Sequence, residues 1–266
     1  MQLKLLCVGD VVGAPGRKVL REALKTLVPQ HGIDCVIVNA ENVAGGSGLT
    51  PALYDKILSY GASVITLGDH IYRRREIIPI LETSDRVVRP ANFAASAPGK
   101  TFTVFETESN QSVAVISVMG RLFMKFPTNC PFAAVDQALA TLPQHVKIVV
   151  VDMHAEATSE KIAMGWHLDG RVSVLFGTHT HVATADERIL PGGTAYVTDL
   201  GMTGPHDSVL GRDKERVLRA MITAVPAPFD VATGDACLNG IVVTVETSTG
   251  RAVEIERVFF RGSGEV

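Results

Sequence analysis

CVIVNAEN, residues 35–42, is an apolar run that ends in a carboxylate and an amide. A short run of this kind, with no polar alternation, is a strand buried on both faces. Two neighbours repeat the pattern. LKLLCVG (3–9) leads into Asp10, and ASVITLG (62–68) leads into Asp69-His70. Amphipathic segments lie between the strands, from Arg17 to Leu27 with Pro15 near the start, and from Leu53 to Ser59. Strand, helix and strand at this spacing predict parallel pairing with helices over the faces, and an α/β fold. The crossovers then bring the carboxyl ends of the strands to one edge, where ligands bind in open α/β sheets.

Further along, TFTVFETESNQSVAVISV (101–118) reads as a hairpin and PFAAVDQALATL (131–142) as a helix. KIVVVDM (147–153) is a buried strand running into His154. A helix follows from about Ser159 to Leu168, then the strand VSVLFG (172–177) and short runs at RIL (188–190) and TAYVT (194–198). Last come a helix near Lys214 to Ala224 and a hairpin, CLNGIVVTVE (237–246) with AVEIERVFF (252–260). The expectation is a single domain over residues 1–266 with a second, more antiparallel half.

Bulk properties narrow the function. The chain has 266 residues, 46% hydrophobic and 20% charged, so a sizeable core forms and disorder is not expected. A net charge of −3 argues against tracking long nucleic acid, which calls for a basic face. Cys7, Cys35, Cys130 and Cys237 form no CxxC pair, so a zinc-thiolate site is not expected. No run of ~18 apolar residues and no leader pattern is present, so the expectation is a cytoplasmic protein away from membranes.

The polar strand tails carry the chemistry. Asp10, Glu41, Asn42, Asp69, His154, His179 and His181 all fall just past apolar runs, with His70 beside Asp69. A lone acid there is a cap or loop residue, but so many coincidences are not capping. In an extended GTHTH (177–181), His179 and His181 would point the same way, with Thr180 turned away. Nitrogen and oxygen donors without thiolate suit Fe, Mn or Zn. Seven such donors are too many for one metal and fit two that share a carboxylate. A pair ~3.5–4 Å apart clamps an oxyanion and generates hydroxide at neutral pH, as phosphoester hydrolysis requires. Glycines in the tails (Gly9, Gly68, Gly177) would let the backbone turn tightly.

Together, GD (9–10), NAEN (39–42), GDH (68–70), DMHAEATSEK (152–161) and GTHTH (177–181) resemble the calcineurin-like metallophosphoesterases. With VGDVVGAPGR (8–17), MGRLFM (119–124) and TAYVTDLGMTGPHDSVLG (194–211), the chain is most similar to YmdB-type bacterial phosphodiesterases. The resemblance implies an αββα sandwich of two mixed β-sheets flanked by helices. It implies that Asp10, Glu41, Asn42 and His181 hold one divalent metal. Bridging Glu41, with Asp69, His154 and His179, would hold the other, iron or manganese before zinc. It implies that His70 is the general acid in hydrolysis of cyclic nucleotides, 2′,3′-cyclic and also 3′,5′-cyclic AMP, by a metal-bridging hydroxide. An imidazolium has a suitable pKa for protonating the leaving oxygen.

One residue departs from the family pattern, which has GNH where this chain has GDH. The added charge of Asp69 would tighten the second metal, and its carboxylate could accept a hydrogen bond from His70. Arg121 and His206 are weaker substrate contacts, while Arg73–Arg75 read as a solvated helix face. AGGSG (44–48) lacks the Lys-Ser/Thr of a P-loop and is expected as a flexible rim. The competing functions are a metal-dependent regulatory binding protein with little turnover, and a phosphomonoesterase. The antiparallel half could supply a homo-oligomer surface.

Overall fold

A computed structural model describes residues 1–263. In chain order the strands are β1 (Gln2–Val8), β2 (Asp10–Val11), β3 (Cys35–Asn39), β4 (Val64–Thr66), β5 (Val87–Val88), β6 (Phe102–Glu106) and β7 (Ser112–Met119). They continue with β8 (Ile148–His154), β9 (Val174–Thr178), β10 (Arg188–Ile189), β11 (Ala195–Val197), β12 (Met202–Pro205), β13 (Ala236–Glu246) and β14 (Ala252–Arg261). The helices are α1 (Gly13–His31), α2 (Pro51–Ser59), α3 (Ile78–Thr83), α4 (Pro131–Thr141), α5 (Thr158–Leu168) and α6 (Lys214–Thr223).

The strands form two mixed sheets flanked by helices. The first has the order β2-β12-β13-β1-β3-β4-β5, with β14 on β13, and the second β10-β11-β9-β8-β7-β6. As the strand–helix–strand spacing requires, β1, β3, β4 and β5 pair in parallel. The predicted hairpin is β6–β7. Three apolar layers result. Leu5, Ile37 and Val64 of the first sheet meet Val115, Val150 and Phe176 of the second. Val19, Leu20, Ala23, Leu24 and Leu27 line one face of α1 and cover the first sheet, while Met164 and Leu168 of α5 cover the second.

One expectation is met with a qualification and one needs correction. The second half is the more antiparallel, since the pairs β6–β7, β10–β11, β12–β13, β13–β14 and β1–β13 all involve strands after residue 101, although β7, β8, β9 and β11 also pair in parallel. The late hairpin β13–β14 crosses back to the first sheet, where β13 lies antiparallel to β1 from Gln2↔Glu246 to Val8↔Gly240. Run-by-run reading detects a hairpin but not which sheet edge it joins. The correction concerns the arginines: Arg73 and Arg74 lie outside any helix, and Arg75–Ile77 form a single 3₁₀ turn before α3. The arginines are solvated there, as expected.

Candidate metal centre

The carboxyl ends of β1, β3, β4, β8 and β9 meet at one place, although the strands belong to different sheets. Buried side chains tie the sheets together there. Asp152 of β8 accepts from Asn39 Nδ2 of β3 at 3.1 Å and from Thr66 Oγ1 of β4 at 2.5 Å. Ser117 Oγ of β7 donates to the Leu67 carbonyl at 2.9 Å.

Glu41 sits at the middle of the cluster, 1% exposed. Its Oε2 is 3.4 Å from His154 Nε2 and accepts the His70 N–H at 3.3 Å. On one side, donor atoms of Glu41, Asp69, His154 and His179 lie within 4.8 Å of one another. Asp69 Oδ1 is 3.2 Å from His154 Nε2 and 3.5 Å from His179 Nδ1. On the other side, Asn42 Nδ2 lies 3.2 Å from both Glu41 Oε1 and His181 Nε2. Asp10 completes that side, with Oδ1 3.9 Å from His181 Nε2 and Oδ2 accepting the His179 N–H at 3.0 Å. The strand-tail residues are therefore all brought together.

The donor set fits a cation on three grounds. First, Asp10 Oδ1 is buried without a hydrogen-bond partner, a costly position for a bare carboxylate oxygen. Second, burial alone would lower the pKa of His154, yet Glu41, with Asp69 and Asp10, raises it to about 10, so the carboxylates demand positive charge. Third, each histidine directs its far nitrogen to an oxygen. His154 Nδ1 faces Thr178 Oγ1 at 2.8 Å, His181 Nδ1 faces the Leu210 carbonyl at 3.1 Å, and His179 Nε2 faces Glu156 Oε2 at 3.3 Å. The inward nitrogen of each is thereby the one available to a cation, the arrangement typical of metal-ligating imidazoles. The Thr178 hydroxyl donates to Asp152 Oδ1 at 2.6 Å and so accepts from His154.

Several details differ from the sequence reading. His179 and His181 do not lie on an extended segment: β9 ends at Thr178, and their φ angles are 94° and 65°. The left-handed turn sends the two imidazoles to neighbouring points, while Thr180 turns away toward Asp199. The strand-tail glycines serve close approach, not tight turning. A Cβ at Gly68 would come within 2.2 Å of the His154 ring, and one at Gly177 would strike the Thr198 carbonyl. His70 does not hydrogen-bond Asp69, since Nε2 and Oδ2 are 3.8 Å apart. Its Nδ1 lies 2.7 Å from Asn42 Oδ1. Burial pushes its pKa down, but Glu41 and Asp69 outweigh this and leave it raised.

The 44–48 loop is clamped: Gly48 N–H donates to the Glu41 carbonyl, and Arg212 donates to the Gly46 carbonyl, both at 2.5 Å. His206 has both ring nitrogens engaged, Nδ1 with the Gly204 carbonyl at 2.9 Å and Nε2 with Asn239 Nδ2 at 3.0 Å. Arg121 is exposed, its N–H held by the Glu160 carboxylate at 3.0 Å. The sequence reading missed Asp152, Thr178, Glu156, Lys161 and Asp199. All lie inside the quoted motifs, but a supporting residue leaves no spacing signal of its own.

Residues 6–258 match the family model of the YmdB-like proteins. The chain belongs to the YmdB-like family. It is 43% identical over 256 residues to the 2′,3′-cyclic-nucleotide 2′-phosphodiesterase of Bacillus subtilis (strain 168), covering 96% of both chains. The crystal structure of a novel phosphatase from Mycoplasma pneumoniae superposes with a TM-score of 0.92 at 33% identity, covering 98% of this chain and 94% of that one. The crystal structure of a hypothetical protein from Thermus thermophilus gives 0.90 at 38% identity, covering 97% and 99%. Among the described residues, no helix is long and apolar enough to cross a membrane.

Proposed function

We propose that this protein is a metal-dependent phosphodiesterase that hydrolyses small cyclic nucleotides, 2′,3′-cyclic first and 3′,5′-cyclic AMP second. The observation that carries the proposal is the pair of adjacent donor clusters sharing Glu41. Asp10, Glu41, Asn42 and His181 would hold one metal, and Glu41, Asp69, His154 and His179 the other. Two bound metals would supply Lewis acidity and a hydroxide nucleophile at neutral pH. Iron or manganese suits these donors, with zinc as the third choice.

The chain's own residues do the rest. Thr178, Glu156 and the Leu210 carbonyl hold the three imidazoles in the tautomer that presents a lone pair inward. His70, at the edge of the cluster with a quarter of its side chain exposed, is the proton donor to the leaving oxygen. Its neighbours Glu41 and Asp69 keep it protonated at a higher pH than an ordinary histidine. The Bacillus relative, a named cyclic-nucleotide phosphodiesterase, supports turnover over a binding-only role. A cytoplasmic location belongs to the same proposal, and four unpaired cysteines, three of them buried, suit a reducing compartment.

The test is elemental analysis of protein purified without a chelating tag, with hydrolysis of 2′,3′-cyclic AMP assayed on the same sample. About two transition metals per chain with turnover is the expected result. Metal without turnover, even after Mn²⁺ is added, would convert the reading to a binding protein.

A further inference from the structure

Lys161 is fully buried, and Asp199 is 2% exposed. Their side chains meet at 2.6 Å, Nζ to Oδ2. Neither belongs to the donor clusters, and an isolated buried charge pair of this kind is a costly way to stabilise a fold. The surroundings point to a different use. Asp199 Oδ2 accepts from Thr180 twice, from the hydroxyl at 2.8 Å and from the N–H at 3.4 Å. Its Oδ1 accepts the Gly201 N–H at 2.7 Å. Thr180 is the residue between His179 and His181, both of which sit at positive φ. For non-glycine residues such backbone persists only where the surroundings over-determine it.

We infer that Asp199, charged and oriented by Lys161, is the positioning residue that holds the His179–Thr180–His181 turn and so fixes two metal-ligating imidazoles at once. Lys161 reaches Asp199 from α5 by passing Gly177. A Cβ there would come within 2.7 Å of Lys161 Cδ, so the glycine of GTHTH makes room for the lysine of TSEK. Asp199 is fixed from its own side by backbone. Its N–H donates to Thr184 Oγ1 at 2.9 Å, its carbonyl accepts the Thr184 N–H at 3.1 Å, and Leu200 N–H donates to the Gly177 carbonyl at 2.9 Å. Three separated segments (177–181, 158–168 and 194–201) are thus locked around one carboxylate. A neutral side chain could accept the Thr180 bonds, but it would leave the Lys161 ammonium buried and unpaired.

The inference rests on the reading of His179 and His181 as metal ligands, and the experiment separates the two. Mn²⁺ affinity is measured by competition with a fluorescent chelator in the full-length protein. The thermal midpoint of the same protein in excess EDTA is recorded alongside. Thr180→Val removes the hydroxyl bond without stranding a charge. The double variant Lys161→Met with Asp199→Leu removes the charge pair and the acceptor for Thr180 as a unit. The expected result is a 10–100-fold loss of Mn²⁺ affinity in both, the size found for losing a residue that supports a ligand, with the EDTA midpoint of Thr180→Val unchanged. A purely architectural pair would give parental affinity in both variants, and that result overturns the inference. If the double variant does not fold, Thr180→Val decides alone. His179→Ala and His181→Ala are the reference: if neither weakens Mn²⁺ binding, the metal reading itself fails.

Discussion

Thr178 sets the tautomer of His154. Its single hydroxyl proton goes to Asp152 Oδ1 at 2.6 Å, so the imidazole Nδ1 at 2.8 Å must be the donor, and Nε2 is the nitrogen turned to Glu41 and Asp69. Replacing Thr178 by Val keeps the shape and removes the relay. The expected outcome is a 10–100-fold weaker second metal, read as metal content after dialysis against a graded chelator series.

His70 lies beside the donor clusters and contributes no atom to the four-residue group around His154. His70→Ala is therefore expected to retain the parental metal content. Its kcat on 2′,3′-cyclic AMP should fall ~10²–10⁴-fold, the usual contribution of a general acid. A p-nitrophenyl ester, whose leaving group needs no proton, should lose far less. Equal losses on both substrates would assign His70 to structure.

Asp69 faces both the His154–His179 pair and His70. Burial lowers the His70 pKa while Glu41 and Asp69 raise it, and the raising groups win. A raised pKa keeps the acid form present to higher pH. Asp69→Asn should accordingly move the alkaline limb of the kcat profile toward lower pH and reduce occupancy of the His154 side. A profile superimposable on the parental one would show that Asp69 does not govern His70.

Metal should stabilise the fold because the cluster exists only when the two sheets are docked. Mn²⁺ at 100 times its dissociation constant adds ~2.7 kcal/mol per site. Differential scanning calorimetry of EDTA-treated protein should thus give a thermal midpoint that climbs with added Mn²⁺ and not with added Mg²⁺ at the same concentration. A flat response would mean the carboxylates are neutralised in another way.

Much of this was legible in the residues. The strand tails announced Asp10, Glu41, Asp69, His154 and His179 because a buried strand has no reason to end in a carboxylate or imidazole unless that edge is used. What was not legible depends on contacts between segments far apart in the chain. Nothing near GTHTH in the sequence reveals that Asp199 and Lys161 lie beneath it, or that the turn is left-handed and not extended. Gly68 reads as a turn residue, but its role is set by the His154 ring, which arrives from the other sheet. The β13–β14 hairpin was visible as a hairpin, while its place beside β1 is decided by which edge of the first sheet remains open.

That last pairing has a consequence for the order of assembly. Gln2 is matched with Glu246, so the strand made first bonds to one made near the end of synthesis. As the chain emerges, β1 has β3 on one side and an exposed row of unpaired amides and carbonyls on the other. The apolar strip between the sheets cannot close until β13 arrives. Pairing over so long a separation in the chain is slow and leaves a sticky edge waiting. The strand that leads into Asp10 is thus completed late, so the donor cluster is expected to reach its final geometry only once β13 is in place. Nascent chains stalled before Ala236 should accordingly be captured by holdase chaperones, and those stalled beyond Arg261 released.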